Sequence, residues 1–120
     1  MKKIKIVIIG LGYVGLPLAI KFSDYYEVIG FDKEKAKIKN FNSERFSFDT
    51  LNMSLINKDK INFKKILFTY DENLIAKADY YLVTVPTPVN QALKPDLSHL
   101  IEASELIGRV IKKNSIVIYE

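Results

Sequence analysis

The stretch "VIIGLGYVGLPLAIKF", residues 7–22, decides how the rest of the chain is read. An apolar run leads into glycines at positions 10, 12 and 15 and then into residues with helical spacing. Glycine weakens strand and helix alike, because it adds no packing surface and loses the most backbone freedom on ordering. Such a cluster signals that something must approach the backbone closely. Between a strand and a helix, Gly-x-Gly-x-x-Gly assigns a task to each glycine. Gly10 makes a tight turn, Gly12 leaves room for a pyrophosphate, and Gly15 lets the helix pack on the first strand. The free amides and positive end of that helix would face the phosphates. Glycines serving helix–sheet packing alone are the competing explanation.

Outward from this loop, five runs read as strands: Ile4–Ile9, Glu27–Phe31, Ile66–Thr69, Tyr80–Val85 and Ser115–Tyr119. Most are apolar nearly throughout, as parallel strands covered on both faces are. Val14, Leu18 and Phe22 would form one face of a first helix. Residues 33–41 read as a second, charged helix carrying Ala36, Ile38 and Phe41. Residues 71–77 allow a short helix started by Asp71. The clearest helix runs from Leu97 to Lys112 after Pro95 and the candidate cap Asp96, with Leu97, Leu100, Ala103, Ile107, Val110 and Ile111 at helical spacing. Alternation of strands and helices predicts an α/β fold, a Rossmann-type doubly wound parallel sheet in the order 3-2-1-4-5. Residues 42–65 are the least legible, with Phe46, Phe48, Leu51, Leu55 and Ile56 expected to pack a helical hairpin or loop over the domain. The last strand reaches the final residue with no helix after it. Residues 1–120 are therefore expected to be one dinucleotide-binding domain, truncated after the fifth strand and excised from a larger enzyme.

Composition narrows the function classes. At 120 residues, 48% hydrophobic and 27% charged, the chain has the make-up of a single globular domain. Its net charge of +4 comes from scattered lysines, so no nucleic-acid partner is expected. Aromatics mixed with lysines in 42–65 lack the signature of an RNA-binding module. No apolar run approaches the ~20 residues of a membrane span. The start "MKKIKIVIIG" has the charge of a signal peptide, but its apolar part is too short and reads as a strand. Cysteine is absent, which excludes disulfides and thiol chemistry within this chain. His99, the single histidine, cannot make a metal site or triad alone and reads as a surface or helix-start residue.

Asp32 closes the second strand, "EVIGFD", at the distance from the first glycine where an acid accepts both ribose hydroxyls. A carboxylate there repels a 2′-phosphate, which favours NAD over NADP. Lys33 and Lys35 could instead serve a phosphate, and Asp32 could merely cap the next helix. With the fourth strand beside the first, the loop "VPTPVNQALKPDLS", residues 85–98, falls on the ligand side. Pro86 and Pro88 stiffen it, and Thr87, held between them, would be presented toward the nicotinamide half, with Val85 and Pro86 also expected to contact the cofactor. A purely structural Pro-rich turn is the alternative.

Four segments together resemble the amino-terminal domain of the nucleotide-sugar 6-dehydrogenases, the UDP-glucose/GDP-mannose dehydrogenase family. They are "GLGYVGLPLA" at 10–19, "VIGFD" at 28–32, "TVPTP" at 84–88 and "PDLS" at 95–98. The ending "ASELIGRVIKKNSIVIYE" is most similar to the branch that oxidises UDP-N-acetylhexosamines for bacterial surface polysaccharides. The resemblance implies that backbone at Tyr13 and Val14 touches the pyrophosphate, that Asp32 holds the ribose, and that Lys37 reaches the same end of the cofactor. It places Thr87 in the cofactor loop and Pro17 near the first turn of its helix. It further implies a cytoplasmic, homo-oligomeric enzyme at full length, which oxidises a sugar C6 alcohol to the acid with two NAD through an adduct on a cysteine. The catalytic residues would then lie beyond Glu120, and the fragment alone would be inactive. Two other classes share the glycine loop and strand-end acid: regulatory NAD-sensing modules of potassium transport systems and 3-hydroxyacid-type dehydrogenases. A stiff Pro-Thr-Pro beside the nicotinamide sets this chain apart from the sensing modules.

Overall fold

In the computed structural model, which describes residues 3–43 and 65–120, parallel pairing of the apolar runs generates the architecture. The strands are β1 (Lys5–Ile9), β2 (Glu27–Phe31), β3 (Ile66–Thr69), β4 (Tyr80–Val83) and β5 (Ile116–Tyr119). They form one sheet in the order β3-β2-β1-β4-β5. Every neighbouring pair is parallel, with β1 aligned on β2 from Lys5↔Glu27 to Ile9↔Phe31 and on β4 from Ile6↔Tyr80 to Ile9↔Val83. The helices are α1 (Gly15–Phe22), α2 (Lys35–Phe41) and α3 (Ser98–Val110). The expected doubly wound sheet and its strand order are thus observed. Phe46, Phe48, Leu51, Leu55 and Ile56 lie outside the described residues.

Alternation of side chains along each strand divides the core between the two faces of the sheet. Ile6, Ile8, Val28, Ile66, Phe68 and Leu82 point to one face, where Leu16, Ala19 and Ile20 of α1 and Ile38 and Phe41 of α2 cover them. Val7, Ile9, Ile29, Phe31, Tyr81 and Val83 point to the other, beneath Ala103, Leu106 and Ile107 of α3. A sheet covered on both faces removes the need for polar positions within the strands, which is why the central runs read as continuously apolar.

Several boundaries and faces differ from the sequence reading. The fourth strand stops at Val83, two residues early, because its partner β1 ends where Gly10 turns away and donates its amide to the Phe31 carbonyl. The short helix at 71–77 is a single 3₁₀ turn, Glu72–Ile75, with Asp71 accepting the Asn73 amide as expected. Lys77, with φ 58°, ends any continuation. In α1 the buried residues are Gly15, Leu16, Ala19 and Ile20, while Val14 is 49% exposed and Leu18 and Phe22 only flank the core. Gly15 brings α1 so close to β1 that the helix rolls this narrow face inward. Pro17 occupies the first turn, where a missing amide costs little. Ala36 is exposed on α2. In α3 the inward set gains Leu106, whereas Leu97 and Ile111 stand outside the helix ends and are largely exposed.

Tyr81 ties the second core to its cover. Its buried hydroxyl donates to the Ile75 carbonyl at 2.6 Å and accepts the Ala78 amide at 3.1 Å. Burial pushes the phenol pKa up, against the opposing pull of the Ala78 hydrogen bond. Tyr81→Phe leaves both backbone groups without that partner and should destabilise the domain by about 1–3 kcal/mol in chemical denaturation.

Candidate functional site

The carboxyl ends of β1, β2 and β4 meet at the glycine loop. Gly10 has φ +96°, a conformation that disfavours any other residue, and a Cβ on it would press on Thr84 and Val85 backbone at 3.0 Å. A Cβ on Gly15 would run into the Gly10 carbonyl oxygen and the Thr84 hydroxyl. These two glycines are required by the protein's own packing. Gly12 is different, since a Cβ there would meet nothing within 4 Å. Packing therefore explains two of the three glycines and leaves the middle one without a packing role. Among the described residues, the amides of Gly12, Tyr13 and Val14 meet no protein acceptor, and Tyr13 is 82% exposed. This is a cradle of open donors at the amino end of α1, chemically suited to an anionic diphosphate.

Asp32 is fixed beside the cradle. Its Oδ2 accepts the Leu11 amide at 3.0 Å and its Oδ1 accepts the Glu34 amide at 3.0 Å. The alternative of a helix cap is thus met only in part: the Glu34 bond precedes α2, and the capping residue, Glu34, makes no side-chain cap bond. Lys37 lies 3.4 Å from Asp32 and 3.7 Å from Glu34, so this basic residue comes to the acid end of the site as expected. A cleft of about 410 Å³ opens alongside, lined by Gly10, Phe31, Asp32, Lys37, Val85 and Pro86 among others. Its far wall is α3, contributing His99, Glu102, Leu106 and Arg109. Thr87 is exposed on the loop just beyond Pro86 and does not line that cleft. The loop continues as a small hairpin closed by the Val89↔Pro95 bridge and by the Asp96 amide donating to the Pro88 carbonyl at 2.7 Å.

Several residues of the site escaped the sequence reading. Thr84 is buried, and its hydroxyl lies 2.6 Å from the Gly10 carbonyl and 3.1 Å from that of Ile9, locking the loop to β4. A polar residue ending an apolar run was its only signal. Glu102 reaches Lys33 at 2.6 Å, and that hydrogen bond, then the charge of Lys33, holds its carboxyl below the usual range. Arg109 joins Glu72 at 2.8 Å, linking α3 to the 3₁₀ turn. Asp96 accepts the Ser98 amide at 3.0 Å ahead of α3, and this bond lowers its pKa. His99 stands in the first turn of α3, as its helix-start reading required. Among the described residues, no group of acidic or histidine side chains could hold a metal ion.

An open glycine loop, a helix amino end and an anchored acid at a parallel-sheet crevice define the class: a dinucleotide-binding domain of Rossmann type. Residues 4–120 match the model of the UDP-glucose/GDP-mannose dehydrogenase family, NAD binding domain, and the chain belongs to that family. It is 41% identical to a UDP-N-acetyl-D-glucosamine 6-dehydrogenase of Pseudomonas aeruginosa, with all of this chain and 28% of that protein covered. It is 39% identical to Protein CapL of Staphylococcus aureus, over 96% of this chain and 26% of that one. The structure of a UDP-D-ManNAc dehydrogenase from Pyrococcus horikoshii superimposes with a TM-score of 0.79 at 29% identity, covering 98% of this chain and 28% of the other. The chain thus spans little more than a quarter of the relatives it matches. The family identifies its cofactor as NAD.

The different reasons for the glycines separate in mutants. Gly15→Ala should cost about 1–3 kcal/mol by overpacking, whereas Gly12→Ala should change stability by less than about 1 kcal/mol in the same denaturation assay.

Proposed function

We propose that this domain binds NAD along the carboxyl edge of the sheet, as part of an enzyme that oxidises the C6 alcohol of a UDP-N-acetylhexosamine to the uronic acid. The observation that carries the reading is Gly12, open to solvent beside unpartnered amides and an anchored Asp32. The amides of Gly12, Tyr13 and Val14 would hold the pyrophosphate, with Gly10 and Gly15 shaping the loop. Asp32 would accept the ribose hydroxyls. Lys37, 3.4 Å away, would keep that carboxylate aimed. Val85, Pro86 and Thr87 would flank the nicotinamide half, with the two prolines restricting the loop.

NAD, when bound, supplies the hydride acceptor. This chain would orient it and contribute no thiol, since it contains no cysteine. The alcohol, the base and any covalent step then fall to residues elsewhere in a longer protein, whose relatives include the UDP-N-acetyl-D-glucosamine 6-dehydrogenase of Pseudomonas aeruginosa. We place the whole enzyme in the cytoplasm as a homo-oligomer supplying surface-polysaccharide precursors, without nucleic-acid or membrane partners. No helix among the described residues is long and apolar enough to cross a membrane.

Calorimetric titration tests the site: NAD(H) should bind more tightly than NADP(H), and equal or tighter NADP(H) binding would reject the role of Asp32. Asp32→Ala should lose about 1–3 kcal/mol of NAD affinity, and Gly12→Val should abolish binding without loss of the folded state. A cofactor-bound structure in which residues 85–88 lie more than ~10 Å from the dinucleotide would reject the loop assignment.

Turnover tests the reaction. The full-length protein should form two NADH per acid from UDP-N-acetylglucosamine or a close relative, while residues 1–120 alone should reduce no NAD. Hydride transfer requires an alcohol held roughly 3–3.5 Å from the nicotinamide and a positioned base. Turnover by the fragment would overturn this division of labour.

A further inference from the structure

We propose that Glu102 is a specificity-determining residue, which excludes a 2′-phosphorylated dinucleotide by occupying Lys33, the cleft lysine that Asp32 and Glu34 leave unengaged. The inference rests on the dinucleotide reading of the cleft and concerns residues outside the glycine motif. Immediately past β2 the chain carries Lys33, Lys35 and Lys37, a basic run that by composition alone invites a phosphate at the ribose end. The structure gives each of these lysines an engagement of its own. Lys37 faces Asp32 and Glu34 at 3.4 and 3.7 Å. Lys35 points elsewhere, its Nζ 5.4 Å from the centre of the Tyr70 ring. Lys33 directly follows the ribose acid, lines the cleft, and donates to Glu102 Oε2 at 2.6 Å across the gap to α3.

Acceptance of a dianionic phosphate requires cations able to turn toward it. Here Asp32, Glu34 and Glu102 match the three lysines in number, so the ribose end presents no local excess of positive charge. The Lys33–Glu102 pair is more than half exposed on both sides, at 61% and 58%, and exposed pairs of this kind add little to stability. Its consequence lies in where the charge of Lys33 is directed. Without Glu102, that ammonium would be able to turn toward a phosphate beside Asp32.

The test is the ratio of NADP+ to NAD+ dissociation constants in the protein at its full encoded length, measured by calorimetry at low salt. Glu102→Gln should lower that ratio about fivefold, the scale of one unit charge, the freed Lys33 ammonium, turning toward a dianion in water-like dielectric. The gain should fade near 1 M salt, where the Debye length is about 3 Å. Adding Lys33→Ala to Glu102→Gln should abolish the gain, and Glu105→Gln, which removes the same charge elsewhere along the cleft wall, should not reproduce it. An unchanged ratio in Glu102→Gln, or a gain that survives Lys33→Ala, overturns the proposal while NAD binding itself stands. Failure of the unaltered protein to bind either dinucleotide overturns the dinucleotide reading and this inference with it.

Discussion

The carbonyl of Gly10 is the point on which the arrangement turns. It lies against Gly15 at the start of α1 and within 2.6 Å of the Thr84 hydroxyl from β4. The two ends of the glycine loop and a residue 74 positions further on thus converge on one backbone oxygen. This convergence requires glycine at position 15, because any Cβ would occupy the space of that oxygen or of the hydroxyl. It also requires the unusual φ at Gly10, through which the chain leaves the sheet and begins the loop. With the loop fixed at both ends, the amides between them are presented to solvent rather than consumed by the fold.

A second layer of order comes from Asp32. By accepting the Leu11 amide it joins the end of β2 to the glycine loop, so the open amides and the acid are held as one unit. Lys37 offsets the charge of the acid, and Lys33 is drawn away toward α3. The site is therefore preorganised by backbone bonds at its centre and adjustable by exposed ion pairs at its rim. This division suits a cofactor that must bind in one register and yet enter and leave.

Beyond the glycine loop, the exit from β4 has a character of its own. The Pro86 and Pro88 pair makes residues 85–88 a stiff exit from β4, and the hairpin closed by Val89 and Pro95 carries the chain from there to α3. A module that only sensed a nucleotide would gain little from rigidity at this edge.

Local signals made most of the fold and the centre of the site legible. Apolar runs marked β1, β2 and β3, helical spacing marked α3, and the glycine spacing with Asp32 marked the crevice, because each depends on neighbours within a few residues. Which face of α1 turns inward did not follow from its pattern of large residues. Close approach at Gly15 rolled Leu16, Ala19 and Ile20 against the sheet and left Val14 outside. The hydroxyl of Thr84 and the pairing of Lys33 with Glu102 were equally hidden. Thr84 meets Gly10 across 74 residues and Lys33 meets Glu102 across 69, distances over which no local spacing carries information. By itself the sequence determined strand order, cofactor class and the backbone of the site. Tertiary structure alone decided that Lys33 meets Glu102, because that ion pair joins the segment after β2 to α3 and exists only after the sheet has brought them together.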